Sequence, residues 1–222
     1  FHQEKFNIVC ANELDKNIAA TYQENFPNTQ VVVGDITQNK IKDKIYQEFS
    51  NVSCDVIVGG PPCVAYSMSG QRNSRDPRGQ LFKDYLAIVK HLRPKMFVME
   101  NVKGILTMKH DKDLLSAEEK VLAEEYYEVE KIKIELAKET KKFSNQKRNF
   151  NKGTDDAYSE LEHKKHQKNV EKNRKELKKL DKNVDKFRIS VPEKIVMSFQ
   201  EIGYQVKFKM LNSADYGVPQ RR

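Results

Sequence analysis

The residue best suited to nucleophilic chemistry in this sequence is Cys63, which directly follows Pro61 and Pro62. A predicted buried strand at 55–58 ends at two glycines, and the prolines forbid regular structure beyond them. Cationic neighbours favour the thiolate, which is the form of cysteine that attacks carbon. Such neighbours follow in the next segment: Arg72, Arg75 and Arg78. A free cysteine is also commonly a small buried hydrophobe, so the turn alone leaves both roles open.

Two further segments carry groups that could take part in chemistry. Glu100 follows an apolar stretch at 96–99 and begins the sequence Glu-Asn-Val. The chain ends in Tyr-Gly-Val-Pro-Gln-Arg-Arg at 216–222. Taken singly, each has an ordinary structural explanation, a helix N-terminal charge in the first case and a surface turn in the second.

The elements that must position these residues alternate between strand and helix patterns. Apolar runs predict strands at 6–11, 31–33, 55–58, 96–99 and 204–211. Amphipathic or capped segments predict helices at 15–26, 41–49, 81–92 and from Pro192 to about 202. This alternation predicts an α/β fold with a doubly wound, mostly parallel sheet. Ligands bind such sheets beyond the carboxyl ends of the strands, so we expect Glu13, Asp35, Cys63 and Glu100 to line one cleft.

Composition limits the class of partner. The 222 residues carry a net charge of +8 with an isoelectric point near 9.2, which suits a polyanion such as nucleic acid. Three cysteines give no disulfide framework and fit a reducing compartment. Because no apolar run is long enough to span a membrane and no signal peptide is present, we expect a cytoplasmic protein without membrane partners. We further expect it to associate with the nucleoid and to bind no metal.

The composition changes at about Ser116. Residues 116–190 contain 20 lysines and arginines and 16 aspartates and glutamates, with few apolar residues. Those few recur near helical spacing: Leu122, Val129, Ile132, Leu136, Leu161, Val170, Leu177, Leu180 and Val184. We therefore expect a charged, coiled-coil-like hairpin of two helices, each of roughly 30 residues, with a turn near Gly153. The alternative is a solvated, partly disordered insertion. On either reading, residues 1–115 and 191–222 form the core and 116–190 an insertion.

The order of three motifs resembles that of the DNA (cytosine-5) methyltransferase family, in particular its bacterial restriction-modification members. The motifs are Pro-Pro-Cys-x-x-x-Ser at 61–67, Glu-Asn-Val at 100–102 and the C-terminal segment at 216–222. Upstream, Asn12-Glu13 resembles the acidic position that binds the cofactor ribose, and Gly34-Asp35-Ile36 resembles the segment that contacts adenine. The resemblance implies a Rossmann-like core that depends on S-adenosyl-L-methionine and releases S-adenosyl-L-homocysteine.

The resemblance also implies a role for individual residues. The catalytic residues would be Cys63, Glu100 and Arg222. The cofactor-binding residues would be Glu13, Leu14, Asp35, Ile36, Pro62 and Leu81. The residues that contact double-stranded DNA would be Ser67, Ser69, Arg78 and Gln220, the first three in a segment that matches the family's mobile loop. Val64 departs from the family, which usually has glutamine at this position.

In the reaction that the resemblance implies, the Cys63 thiolate adds to C6 of cytosine and makes C5 nucleophilic. C5 takes the methyl group, and loss of the C5 proton and of the cysteine releases the product. A protonated Glu100 at N3 would stabilise the charge that develops on the ring. Gln220 and Arg222 match the first two fixed positions of the family's Gln-x-Arg-x-Arg motif. The target base would have to be flipped out of the duplex to reach these groups.

Other family features are not found in this sequence. The Phe-x-Gly-x-Gly loop, the sequence-reading domain and the last motifs of the family have no counterpart, so we expect a core that is incomplete at both ends and poorly active alone. Two alternatives remain open. One is a tRNA cytosine-5 methyltransferase of the same fold, which a comparison of DNA and tRNA as acceptors would distinguish. The other is a degenerate core that acts as an interaction protein through the insertion, against which Cys63 and Glu100 argue.

Overall fold

A computed structural model describes residues 6–62, 77–152 and 159–218 of the chain. Within these residues the chain divides into two compact units. The first contains residues 6–62, 77–103 and 195–218, and the second contains 104–152 and 159–194.

The first unit alternates strands and helices, as the sequence pattern predicts. Its strands are β1 (Cys10–Glu13), β2 (Gln30–Val33), β3 (Val56–Gly59) and β4 (Met96–Met99). Its helices are α1 (Lys16–Asn25), α2 (Asn39–Glu48) and α3 (Phe82–Leu92), followed later by the C-terminal part of α7 (Val191–Glu201). The predicted helix starts are close to those observed, and Asp15 caps α1 by accepting from the amides of Asn17 and Ile18.

The strands of this unit pair in parallel. β1 pairs with β2, with Cys10 opposite Gln30, and β3 pairs with β4, with Val56 opposite Met96. The fold is thus of the mixed α/β type. Because the described strands pair only two by two, the single doubly wound sheet stays a prediction.

Helices α2 and α3 bury apolar residues against β2. Val32, Ile41, Ile45 and Ile88 form a buried cluster that joins β2, α2 and α3. Ile41 and Ile45 are one helical turn apart on α2, so both reach the same side of the helix. Aromatic rings form a second contact, in which Phe97 of β4 stacks on Phe199 of α7 with ring centroids 4.1 Å apart.

Two strand predictions were wrong. The strand predicted at 6–11 is observed at Cys10–Glu13. Cys10 lies opposite Gln30, the first residue of β2, so the described residues before Cys10 have no strand residue opposite them. The chain before β2 is instead a turn, in which the Thr29 amide donates a hydrogen bond to the Phe26 carbonyl. Glu13 therefore lies within the last position of the strand instead of beyond it. The segment 204–211 is not a strand, since no described strand offers it a ladder of hydrogen bonds.

The second unit is dominated by two long helices. α4 (Ala117–Phe150) has 34 residues and α5 (Glu160–Leu180) has 21, so the arms are unequal where two of similar length were expected. Ser116 and Glu119 form a reciprocal capping box at the start of α4. The turn predicted near Gly153 lies outside the described residues. Among the described helices, none is long and apolar enough to cross a membrane.

A short antiparallel ladder closes the base of these helices. β5 (Lys109–Asp111) pairs with β6 (Arg188–Ser190), which follows the short helix α6 (Val184–Phe187). Arg188, 5% exposed, donates to Asp111 at 3.1 Å and to Glu130 of α4 at 3.2 Å. The buried guanidinium thus ties the ladder to the first arm.

Candidate active site

A cavity of about 840 Å³ runs along the edges of β1 and β3 in the first unit. Consecutive residues of both segments line it, 6–14 on one side and 52–62 on the other. Side chains of a strand alternate between its two faces, so an unbroken run of lining residues means that the strands present their edges to the cavity. The six predicted cofactor-binding residues all line this one cavity: Glu13, Leu14, Asp35, Ile36, Pro62 and Leu81.

The end of β1 is organised by side-chain hydrogen bonds to the backbone. One carboxylate oxygen of Glu13, Oε1, accepts from the amides of Leu14 at 2.8 Å and Asp15 at 3.1 Å. The Asn12 amide donates to the carbonyls of Val32 at 2.8 Å and Gly34 at 3.1 Å. The turn after β1 is therefore tied both to the Glu13 carboxylate and to the end of β2.

The segment after β2 is shaped by a glycine and a small hydrogen-bonded turn. Gly34 has φ of +147°, and a Cβ there would stand 2.4 Å from Ile41 Cδ1, so only glycine fits. Asp35 Oδ1 accepts from the Thr37 amide at 2.9 Å and from the Thr37 hydroxyl at 2.8 Å. These two bonds, the backbone bond first, hold the pKa of Asp35 below its usual range, so the cavity carries a fixed negative charge at this point.

The turn that leads to Cys63 is held by the Glu-Asn-Val motif. The Glu100 amide donates to the Gly59 carbonyl at 2.9 Å, and the Asn101 side-chain amide donates to the Pro61 carbonyl at 3.0 Å. Two motifs that lie about 40 positions apart in the sequence therefore meet at the neighbouring ends of β3 and β4. Cys63 itself lies outside the described residues, as do Ser67, Ser69, Gln220 and Arg222, and the Arg78 side chain is not described either.

Gly59, the last residue of β3, accommodates a close neighbour. A Cβ on Gly59 would stand 2.6 Å from Cε2 of Tyr85, a buried ring of α3. The Tyr85 hydroxyl lies 3.0 Å from the Ile57 carbonyl and 3.1 Å from the Val98 carbonyl, so it can donate to either strand. Burial raises the pKa of Tyr85, and the hydroxyl therefore remains a donor between β3 and β4.

The other two cysteines are poor nucleophiles. Burial, and next the nearby charge of Glu48, raise the pKa of Cys10 to about 11. Burial and the nearby charge of Asp55 also raise the pKa of Cys54. A raised pKa lowers the thiolate fraction of both cysteines, so neither is activated as a nucleophile.

Sequence reasoning missed three positioning residues, Asn12, Tyr85 and Asn101. None of them has an ionisable or nucleophilic group that would mark it near neutral pH, and all act by donating to backbone carbonyls. A signal was nonetheless present for Asn12 and Asn101, because each is a polar amide next to an acidic residue at the end of an apolar run. Nothing in the sequence distinguishes Tyr85 from an ordinary core aromatic.

Comparison with known proteins identifies the family of this chain. The model of the C-5 cytosine-specific DNA methylase family matches residues 1–194 and 173–222, so the two matches together extend over the whole chain. The type II methyltransferase M.NgoPII of Neisseria gonorrhoeae is 45% identical over 112 residues, which is 50% of this chain and 31% of that protein. M.DdeI of Desulfomicrobium norvegicum is 42% identical over 53% of this chain and 29% of its own length.

A third relative matches the insertion as well as the core. The type II methyltransferase M1.HphI of Haemophilus parahaemolyticus is 26% identical along 100% of this chain, which corresponds to 39% of its own length. The chain thus spans less than half of each of these three relatives. From the two family-model matches, this chain belongs to the C-5 cytosine-specific DNA methylase family.

Proposed function

We propose that the protein containing this chain transfers a methyl group from S-adenosyl-L-methionine to C5 of cytosine in double-stranded DNA. The observation that carries the proposal is the convergence of six cofactor-type residues on one cavity beside the turn that precedes Cys63. Membership of the family supports the reaction class. The parallel pairs β1–β2 and β3–β4 support a doubly wound sheet, in which a cofactor binds at the carboxyl ends of the strands.

The cavity fits the proposed cofactor in size and in chemistry. Its volume of about 840 Å³ falls in the range of small-molecule sites, roughly 300–1,000 Å³. Glu13 would accept hydrogen bonds from ribose hydroxyls, while its Oε1 keeps the turn after β1 in place. Asp35 and Ile36 would flank the adenine, and Pro62 and Leu81 would enclose the methyl-bearing end. When bound, S-adenosyl-L-methionine supplies an electrophilic methyl group.

Three side chains of this chain would carry the chemistry. Cys63 would attack C6 of the base and leave again after methylation, when the C5 proton is removed. Glu100, in its protonated form, would donate to N3 while negative charge develops on the ring. Arg222 would add positive charge near O2. The bond from Asn101 to Pro61 supports this arrangement, because it joins the segments of Cys63 and Glu100.

Access to the target requires that the base leaves the duplex. Ser67, Ser69 and Arg78 would contact DNA from the loop after Cys63, and Gln220 would contact it from the C-terminal segment. The net charge of +8 supports binding to a polyanion.

A suicide substrate tests the proposal. Duplex DNA of mixed sequence that carries 5-fluorocytosine is incubated with the protein and S-adenosyl-L-methionine. Because fluorine cannot leave C5 as a proton does, a covalent complex that contains the added methyl group should accumulate and survive denaturing electrophoresis. Cys63→Ala should abolish the complex, whereas Cys10→Ala and Cys54→Ala should retain it. Mass spectrometry that locates the adduct on another residue would refute the assignment.

A further inference from the structure

The two halves of helix α4 differ sharply in charge. Residues 117–135 carry seven glutamates and three lysines, whereas residues 136–150 carry five lysines and arginines and one glutamate. Ordinary solvated surfaces mix both signs of charge, so a reversal of sign along one helix is not required for solubility. The distal half of α4 is therefore a candidate interaction surface.

Three lysines of the distal half share one face of the helix. Lys138, Lys141 and Lys142 are exposed and stand at spacings of three and four residues, and Asn145 follows one turn later on the same side. We call these three lysines the distal lysine stripe. Among the described residues, no carboxylate lies within ion-pairing distance of any of them, whereas Lys131 in the proximal half pairs with Glu128.

The stripe faces away from α5. Thr140 and Phe143 are the α4 residues that meet α5 at this level, where the Thr140 hydroxyl lies 2.8 Å from His166 Nε2 and the Phe143 ring stacks on His163. Successive helical residues are about 100° apart, which places the stripe on the opposite side of α4 from these contacts. The only glutamate of the distal half is Glu139, whose Oε2 lies 3.0 Å from His166 Nδ1 of α5.

The chemistry of the stripe fits a phosphate backbone better than a protein surface. Protein interfaces have an apolar core from which lysine is depleted, but the exposed face of the stripe offers lysines and an asparagine. Exposed lysines that neutralise phosphates bind nucleic acid independently of sequence and release counterions. We propose that the distal lysine stripe binds the phosphate backbone of duplex DNA outside the methylated site. The choice of DNA rests on the proposed function.

A matched pair of variants of the full chain tests the proposal. One replaces the stripe, Lys138, Lys141 and Lys142, with glutamine. The other makes the same three substitutions in the proximal half, at Lys120, Lys131 and Lys133, which are also exposed on α4. Binding of a fluorescent duplex without cofactor is followed by anisotropy over a series of salt concentrations, and circular dichroism verifies that both variants keep their helices.

We expect the stripe variant to lower the slope of log K against log [salt] by about 2–3, close to one unit per lost lysine, and to bind roughly tenfold more weakly at low salt. The proximal variant should change the affinity by less than about twofold, since its lysines compete with surrounding glutamates. Equal losses in the two variants, or no loss in the stripe variant, would overturn the proposal, as would failure of the unsubstituted chain to bind the duplex.

Two further measurements separate this proposal from the proposed function. The affinity for S-adenosyl-L-methionine, measured by calorimetry, should be the same in both variants. If the unsubstituted chain does not bind S-adenosyl-L-methionine, the result counts against the proposed function, while the salt slopes still decide whether the stripe binds DNA. Unchanged DNA binding combined with weakened binding of polyglutamate would assign the stripe to acidic proteins and refute a DNA contact.

Discussion

Gly60 and Glu100 occupy neighbouring strand ends, and a Cβ on Gly60 would stand 3.1 Å from Glu100 Oε2. The Glu100 carboxylate therefore packs against the bare backbone of the turn that leads to Cys63. This contact places the candidate acid beside the segment that leads to the candidate nucleophile. Because Gly60 has no side chain, the Glu100 carboxylate can occupy this position.

Gly60→Ala should displace the Glu100 carboxylate by a few tenths of an ångström with little effect on folding. Small misplacements of a catalytic group are costly, so we expect kcat for methyl transfer to fall on the order of tenfold. Affinity for S-adenosyl-L-methionine should hardly change. In a Glu100→Gln background the same substitution should have almost no further effect, because the two residues act as a unit. Additive losses would show that Gly60 acts elsewhere.

Glu100→Gln should slow methyl transfer far more than it weakens DNA binding, since the carboxylic acid is needed where ring charge develops. Single-turnover rates at saturating DNA measure the first effect and anisotropy measures the second. Glu201→Gln, an equal change of charge at the end of α7, is the control and should leave both unchanged. A normal rate at saturation together with collapsed DNA affinity would make Glu100 a binding residue.

Glu13→Ala should weaken binding of S-adenosyl-L-methionine by about tenfold or more, because a hydrogen bond to a charged group contributes roughly 1.5–3 kcal/mol. Isothermal calorimetry gives the affinity. Glu24→Ala, on the exposed side of α1, is the matched control and should bind normally. The loss could arise indirectly from the turn after β1, so Glu13→Gln, which keeps one oxygen acceptor, should fall between the two. Equal affinity for all of these variants would exclude Glu13 from the site.

The reactivity of Cys10 should rise only at high pH. Its pKa of about 11 lies above the usual 9.0, so the thiolate fraction at pH 8 is about a hundredfold lower than for an ordinary thiol. Alkylation of Cys10 by iodoacetamide, followed by mass spectrometry, should be slow at pH 8 and should accelerate through pH 11. Because unfolding restores the ordinary pKa, stability should decline as pH rises above 9. Fast labelling of the folded protein at pH 8 would contradict the burial.

The helical hairpin should tolerate shortening but not loss of Arg188. Replacing residues 136–167 with a short turn keeps Glu130, Asn173 and Arg188, so we expect a folded protein with unchanged cofactor affinity. Arg188→Met would remove the cation that pairs with the buried Glu130 carboxylate and the half-buried Asp111 carboxylate, and it should cost about 3–5 kcal/mol of unfolding free energy. Urea denaturation followed by circular dichroism measures the unfolding free energy of both variants, and calorimetry measures the cofactor affinity of the shortened one. An unfolded shortened variant would show that the distal half supports the rest of the unit.

Local patterns predicted the elements of the first unit because each one carries its own signal. Met96–Met99 is a strand as predicted, and Asp15 caps α1 because its side chain competes for amides next to it in sequence. Strand limits at β1 were misjudged because they are set by the position of β2, which a local pattern does not report. The segment 204–211 has a strand-like composition, but composition cannot supply a neighbouring strand.

In the candidate site, too, the sequence identified some residues, and others are identified only by the fold. Chemical type and motif order singled out Glu13, Asp35 and Glu100, but Tyr85 and Asn101 act through geometry that appears only when distant segments meet. The change of composition at Ser116 coincides with the start of α4, since a capping box and a charged helix both begin there. No signal in the sequence indicated the pairing of β5 with β6, because strands of three residues are too short to show an alternation of apolar and polar residues.

The ladder of β5 and β6 also bears on the order in which the second unit folds. Lys109 lies opposite Ser190, so direct closure would have to gather a loop of about 80 residues, at a cost near 4 kcal/mol from the logarithmic term alone. Helices form within microseconds, and once α4 and α5 have zipped together the flexible part of that loop shrinks to about a dozen residues and the cost to about 2 kcal/mol. The rate of ladder formation should therefore depend on how fast the helices find each other, and only weakly on how many residues they contain.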